Sequence, residues 1–326
     1  MAQRILVTGG AGYIGSHMAR MLAEFGHEVI IIDNLSTGHR QACRWGELLV
    51  VDLRDLDAIQ TAFHGRHIDA VFHFAATIVA GESVTDPEKY YTNNLNGTIN
   101  LLTAMRRYHI SRIIFSSTAA IYGNPITDTV AENHSLAPLN PYGRTKSAIE
   151  DLLADYYHAY GLASVSLCYF NAAGAHPDGS MGESHSPETH LIPNAIIAAL
   201  SHGPELRIFG TDYPTPDGSC IRDYVHVQDL CTAHLAALSH IDVNLGAYRF
   251  NLGTGRGHSI RELLQIIHTI VGHPVPHRIA PRRPSDAAIL VANNSHAQST
   301  LHWTLIYPSL TTIINHAIHW HSQQTY

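Results

Sequence analysis

Lysine is almost missing from this chain. Only Lys89 and Lys146 occur among 326 residues, so arginine carries nearly all of the positive charge. Charged residues make up 14% and the formal net charge is −7 at pH 7. That balance, with no basic run, argues against a nucleic-acid partner. No stretch approaches the roughly 18 to 20 apolar residues that span a bilayer, so no membrane partner is expected. The four cysteines, Cys43, Cys168, Cys220 and Cys231, show neither CxxC spacing nor a disulfide framework, which predicts reduced thiols. The N-terminal stretch runs straight into a strand pattern without an apolar signal region, and a cytoplasmic protein is the expectation.

Histidine is the opposite case, with 25 residues. Pairs such as His185 and His190 invite a metal reading. No HExxH or Cys/His ligand spacing accompanies them, so surface and structural histidines are expected and no metal.

Hydrophobic residues at 45% allow a full globular core. The first half alternates short β-branched runs (4–8, 28–32, 48–51, 70–74, 113–116 and 164–169) with amphipathic stretches (14–25, 56–63, 88–108 and 142–160). Strands separated by helices predict an α/β fold: a doubly wound parallel sheet of Rossmann type. After Asn171 the texture changes to a Gly-, Pro-, Ser- and His-rich loop. A helix follows over 193–201, then a Pro/Gly-rich loop over 213–218. The expected domains are 1–171, binding a dinucleotide, and 172–326, a smaller α/β substrate domain. Segments near 221–250 are expected to return to the first.

The first strand leads into Gly9-Gly10-Ala11-Gly12-Tyr13-Ile14-Gly15 and then a helix. Glycines suit a tight turn that lets a pyrophosphate approach the helix N-terminus. Asp33 ends the second strand, eighteen residues after Gly15. Its carboxylate suits the ribose hydroxyls of an adenosine and repels a 2′-phosphate, and no arginine immediately follows. NAD is therefore expected in preference to NADP.

Tyr142 and Lys146 stand four apart in PYGRTK, on one face of a helix. A tyrosine titrates ordinarily near pH ~10, and a nearby ammonium favours its phenolate. The spacing predicts Tyr142 as a general base near neutral pH, with its pKa brought down by Lys146. Thr118, ending the strand that reads FSST, is placed to hydrogen-bond a substrate oxygen.

The ordered set TGGAGYIGSH, HFAA with GES, NNLNGT, SSTAAIYG, PYGRTK, YFNAAGAHP, IFGTDYPTPDG, RDYVHVQDL, NLGTG and APRR covers most of the chain. It resembles the UDP-galactose 4-epimerases, within the extended short-chain dehydrogenase/reductases. The resemblance implies an isomerase of galactose and carbohydrate metabolism with tightly bound NAD. Tyr142, poised by Lys146 and aided by Thr118, takes the proton of the sugar 4-hydroxyl. Hydride leaves carbon 4 for NAD, the 4-keto sugar turns over, and hydride and proton return to its other face.

The same resemblance implies NAD contacts at Gly9, Gly12, Tyr13, Ile14, Gly15, Asp33, Asn34, Leu35, Ser36, Thr37, Gly38, Asp52, Leu53, Phe74, Ala75, Asn93 and Phe170, with Thr118, Tyr142 and Lys146. It implies UDP-sugar contacts at Asn171, His190, Leu191, Arg207, Ile208, Phe209, Arg222, Arg283, Asp286 and Leu290, besides Thr118 and Tyr142. Arg222 and Arg283 suit diphosphate oxygens. The departures are Thr118 for serine, Ile78 where some members have lysine, and His190 where some have asparagine. Leu290 stands where tyrosine excludes, and a small residue admits, N-acetylhexosamines. A homodimer through the helices over 88–108 and 142–160 is implied as well. The alternative is another NAD-dependent sugar-nucleotide enzyme: a dehydratase, decarboxylase or reductase. Dehydratases of this kind carry carboxylates directly after the threonine, where this chain has Ala119 and Ala120.

Overall fold

The computed structural model describes every residue except Met1, Ser201, His202, Pro284, Ser285 and Thr325. The elements run β1 (Arg4–Thr8), α1 (Tyr13–Glu24), β2 (Glu28–Asp33), β3 (Glu47–Val50), α2 (Leu56–Phe63), β4 (Ala70–His73), α3 (Ala80–Thr85), α4 (Pro87–Tyr90), α5 (Gly97–Arg107), β5 (Arg112–Thr118) and α6 (Pro141–Tyr160). There follow β6 (Ala163–Tyr169), β7 (Asn171–Ala173), α7 (Leu191–Ala199), β8 (Leu206–Phe209), β9 (Ile221–His226), α8 (Val227–Val243) and β10 (Ala247–Leu252). The last are β11 (Gly257–Ser259), α9 (Ile260–Val271), β12 (His277–Ala280), β13 (Ile289–Leu290), α10 (Ser295–Leu301) and α11 (Leu310–Ser322).

Two compact units result. One comprises Met1–Ile121, Pro138–Cys168 and Cys231–Phe250; the other comprises Tyr122–Ala137, Tyr169–Leu230 and Asn251–Tyr326. The chain therefore crosses between units several times, and not only at the change of texture after Asn171. Segment 231–250 belongs to the first unit because it supplies most of β10, the outermost strand beside β6.

In the first unit the sheet order is β3-β2-β1-β4-β5-β6-β10. The β1–β2, β1–β4, β2–β3 and β4–β5 pairs are parallel. This is the doubly wound Rossmann order, and its strand sequence reverses between β1 and β4, the switch point where such sheets take ligands. The strands read as unbroken apolar runs because both faces are covered. Leu6, Ile30, Val71 and Ile113 pack with Ile59 and Phe63 of α2, Leu101 and Met105 of α5, and Ile149 and Leu153 of α6. Each such buried side chain contributes about 1.5–3 kcal/mol.

One expected helix is broken. The stretch over 88–108 forms α4, a wider π-type turn at Tyr91–Asn96, and α5. The Thr98 hydroxyl donates to the Asn94 carbonyl at 2.6 Å, inside the ladder that the apolar period alone would leave regular.

The second unit has a small sheet, β11-β9-β13, with β7 also on β9, and a parallel β8–β12 pair. Ile196 of α7, Leu263 and Ile267 of α9, and Ile313 and Ile314 of α11 form its core. α9 starts with a full capping box between Ser259 and Glu262. The helix expected over 193–201 is α7, beginning two residues earlier; the expected end, Ser201, lies outside the described residues.

Candidate active site

The glycine turn sits at the carboxyl end of β1, and two of its glycines are required by the chain itself. Gly9 has φ +72°, and a Cβ there would meet the Ala75 nitrogen at 2.5 Å. A Cβ on Gly15 would collide with the Gly9 carbonyl. Gly12 differs: a Cβ there would meet protein only at the Gly9 carbonyl, at 3.4 Å. Gly12 is also the N-cap of α1 and brings no side-chain cap. That leaves a cradle a Cβ would fill, at a helix N-terminus, which fits a dinucleotide pyrophosphate.

Asp33, ending β2, is buried, and its carboxylate accepts the Ala11 N–H at 3.0 Å and the Leu35 N–H at 2.8 Å. Burial raises its pKa, and those two N–H groups pull the other way. Each oxygen keeps acceptor capacity for a ribose hydroxyl. Leu35 sits in the left-handed region at φ 59°. The Ser36 N–H donates to the Asn34 side chain at 3.0 Å, and Gly38 lies so close to Ala11 that a Cβ would meet its carbonyl carbon at 2.8 Å. Thr37 belongs to the same loop. Asp52 is gripped by Arg54 at 2.7 Å and by the Asn34 amide at 3.1 Å, with its pKa well below the usual carboxylate range, Arg54 first among the causes. Leu53 follows it, buried. Phe74 continues β4, its N–H donating to the Thr8 carbonyl at 3.0 Å, and Ala75 follows. Asn93 donates to the Thr77 hydroxyl at 2.7 Å. Asp33 and Phe74, with Tyr13 and Ile14 at the start of α1, stand at or just beyond the carboxyl ends of β1, β2 and β4, where a sheet of this order takes a dinucleotide.

α6 carries Tyr142 and Lys146. Its start is fixed by Asn140, whose side chain accepts the Gly143 N–H at 2.9 Å, and by Pro141 in the first turn. Gly143 packs so closely that a Cβ would meet the Ala120 carbonyl at 2.7 Å. This approach brings Tyr142 towards the end of β5, where the Thr118 hydroxyl lowers the Tyr142 pKa against its burial. Thr118 also accepts the Ala120 N–H at 3.2 Å.

The expected lowering of the Tyr142 pKa by Lys146 is not met in the protein chain. Burial raises the Tyr142 pKa, and only the Thr118 hydrogen bond opposes it. The Lys146 ammonium is turned elsewhere: it donates to the Ser116 carbonyl at 2.8 Å and lies 4.7 Å from the Phe115 ring centroid. Burial brings Lys146 itself down to about 7, against an upward pull from Glu150. Four apart on a helix shares a face, but it does not choose the ammonium's partner.

In the second unit, Phe170 donates its N–H to Leu252 at 3.1 Å, and Asn171 donates its amide to the Asp223 carbonyl at 3.0 Å. Arg222 pairs with Asp286 at 2.5 Å and donates to its own neighbour's carbonyl, Ile221, at 2.8 Å. Leu290 is the strand partner of Arg222. Arg283 lies over the Phe209 ring at 4.0 Å, and Arg207 at 5.1 Å from the same centroid. Ile208 points into the core between them. Arg222, Asp286 and Leu290 thus form one contact group, and Arg207, Phe209 and Arg283 another. His190 and Leu191 lie apart in sequence, at the start of α7, where His190 donates to the Glu183 carboxylate.

The sequence profile of the NAD-dependent epimerase/dehydratase family matches residues 5–253. The chain belongs to that family. It is 48% identical over 319 residues, 98% of this chain and 96% of the relative, to a UDP-glucose 4-epimerase of Halalkalibacterium halodurans. It superposes on the UDP-glucose 4-epimerase of Brucella ovis in complex with NAD at a TM-score of 0.94, with 48% identity and 98% of each chain covered. The enzyme of Bifidobacterium longum in complex with NAD+ and UDP gives a TM-score of 0.95, 36% identity and 98% of each chain.

Around this epimerase-family site are residues to which the sequence analysis gave no role. His73 is fully buried between the hydroxyls of Thr8, at 2.7 Å, and Thr98, at 2.9 Å. The single Thr98 proton goes to Asn94, so the ring's Nε2–H donates to Thr98 and Nδ1 accepts from Thr8. Glu150, one turn beyond Lys146, accepts from Ser117, from Arg249 and, at 3.4 Å, from Cys168. Asp223 binds together the loops of the second unit through the N–H groups of Thr254, Gly255 and Ala292. Glu150 is one of two adjacent acidic residues on α6, and Asp223 stands beside Arg222 in RDYVHVQDL; nothing local in either stretch marks the buried partners each one meets.

Proposed function

We propose that this enzyme interconverts UDP-glucose and UDP-galactose, inverting carbon 4 of the sugar with no net redox change. The observation that carries the reading is the close packing of α6, with Tyr142 and Lys146, on the end of β5, with Thr118, fixed by Lys146 donating to the Ser116 carbonyl at 2.8 Å, in the same unit as the glycine turn and Asp33. NAD supplies, when bound, the hydride acceptor and donor for carbon 4. The chain's residues do the rest. Tyr142 takes the 4-hydroxyl proton and returns it, and Thr118 orients that oxygen. Lys146 places a cationic group behind them. Asp33 accepts the ribose hydroxyls, while Arg222 and Arg283 take diphosphate oxygens of the UDP-sugar.

The competing dehydration needs a carboxylic acid beside the sugar. Ala119 and Ala120 offer none, and Glu150 in the first unit is committed to Ser117, Arg249 and Cys168. Leu290 governs whether the N-acetylated pair is also accepted: Leu290→Tyr is expected to depress N-acetylated turnover more than unsubstituted turnover. A homodimer is supported by exposed Tyr91, Ile99 and Tyr160 on the helical surfaces. Four free cysteines accord with a cytoplasmic setting.

The test is to incubate purified protein with UDP-galactose, without added NAD, and follow the sugar by proton NMR. Formation of UDP-glucose to a constant ratio is expected. No conversion by protein shown to contain NAD would transfer the reading to the sister enzymes.

A further inference from the structure

Between the core strands of the second unit and α7 lies the segment Glu183-Ser184-His185-Ser186-Pro187-Glu188-Thr189-His190. Its two carboxylates and two imidazoles converge: one ligand atom from each of Glu183, His185, Glu188 and His190 lies within 4.8 Å of the others. Several edges are shorter. His185 Nδ1 stands 3.4 Å from Glu183 and 3.5 Å from Glu188, and His190 Nδ1 stands 3.9 Å from Glu188. His190 Nδ1 also contacts Glu183 directly. A tetrahedral cation with bonds of about 2.0–2.1 Å has ligand–ligand edges of about 3.3 Å, so small side-chain rotations close this set around one ion.

We infer that Glu183, His185, Glu188 and His190 form a binding site for one divalent transition cation of the zinc class. The chemistry of the donors selects that class. Two imidazole nitrogens with two carboxylate oxygens suit zinc, whereas calcium and magnesium favour all-oxygen shells. Charge balances as well, because one divalent ion neutralises two carboxylates while both rings stay neutral. Four protein ligands close the shell, which is the arrangement of a structural site rather than a catalytic one.

The surroundings orient the ligands. The Glu183 side chain is only 5% exposed, and its backbone carbonyl accepts the Trp320 indole N–H at 2.8 Å. Glu188 accepts the N–H groups of Thr189 at 2.7 Å and His190 at 2.8 Å. His185 Nδ1 is buried with no hydrogen-bond partner of normal geometry. His190 is 44% exposed, leaving an entry path. The competing reading is an ion-pair cluster of two imidazoliums. It requires two like charges on rings 5.3 Å apart, where a single ion would serve. The expectation of structural histidines without metal was set by ligand spacing alone, and this spacing matches none of the familiar zinc patterns.

The test uses no turnover, so its outcome is separate from that of the epimerase reading, although His190 is shared with the UDP-sugar contacts the family resemblance implies. The full chain, stripped with a chelator, is titrated with Zn2+ by calorimetry and, separately, with Co2+ while the visible spectrum is recorded. Expected are one equivalent per chain, an intense tetrahedral Co2+ band, and a rise in Tm with Zn2+ but not with Ca2+ or Mg2+. His185→Ala and Glu183→Gln should each weaken Zn2+ binding about 100-fold or more, while His273→Ala, in an exposed loop, should not. Absence of a stoichiometric site in the parent chain, or binding untouched by both ligand substitutions, overturns the assignment. Should the substituted chains fail to fold, the parent chain's stoichiometry and Co2+ spectrum decide it.

Discussion

The Lys146 ammonium donates to the Ser116 carbonyl at 2.8 Å, two residues before Thr118 on the same strand. The helix that carries Tyr142 is thereby tied to the strand that carries Thr118. The chain's second lysine, Lys89, is spent on a surface pair with Glu82. Lys146 therefore ties α6 to β5, and the Tyr142 pKa is set by burial and Thr118 instead.

Tyr142→Phe removes the phenol hydroxyl beside Thr118 and leaves the glycine turn untouched. Turnover is expected to fall on the order of 10²–10⁴-fold while the purified protein retains NAD. Absorbance and mass analysis of released nucleotide, beside the NMR assay, check both halves. Near-normal turnover removes Tyr142 as the base.

Glu150 raises the Lys146 pKa against the burial that brings it down to about 7. Burying this charge costs folding most below pH 7, where both states hold the proton, and the cost fades as pH rises towards the ordinary 10.5. Glu150→Gln deletes the upward pull. The alkaline limb of the kcat profile should then move to lower pH, on the order of one unit, with KM changed less. Superimposable profiles for parent and variant would mean that Glu150 does not act through Lys146.

His73 is held neutral, with burial first and Lys146 second bringing its pKa to about 3. The unfolded chain takes up its proton near the ordinary 6.5, so the folded state binds fewer protons between those values. Stability present above pH 6.5 is lost as pH falls towards 3, on the order of 4 kcal/mol in full. Thermal unfolding at pH 7 and 4.5 should show a smaller acid loss in His73→Asn. An unchanged acid slope would assign the effect to other groups.

Gly9 and Gly12 should fail differently. Gly9→Ala meets both a positive φ and the Ala75 backbone, and Tm should drop, with a cost of about 1–3 kcal/mol. Gly12→Ala meets only an ordinary contact, so Tm without added cofactor should hold while NAD retention falls. Equal Tm losses in the two variants would show that Gly12 also serves the chain's own packing.

Much of the first unit was legible beforehand. Apolar runs bounded by turn residues marked β1, β2, β4, β5 and β6, because a strand buried on both faces has no polar alternation to obscure it. The glycine spacing, Asp33 and the Tyr142/Lys146 pair were equally readable, since their geometry is set within a turn or along one helix. What lay beyond sequence were relationships between distant segments. Period alone gave one helix over 88–108, but Thr98 and Asn94 divide it. The helical spacing placed Lys146 beside Tyr142, yet the packing of α6 on β5 turned its ammonium to Ser116. Glu150 meets Ser117, Cys168 and Arg249 only after the sheet forms, and Arg222 meets Asp286 across 64 residues. Local sequence thus determined the elements and the chemically committed residues, because backbone preference and side-chain period act over a few residues. Tertiary structure decided which buried charges are paired and where each proton rests, because burial and charge neighbours are fixed only when remote segments pack.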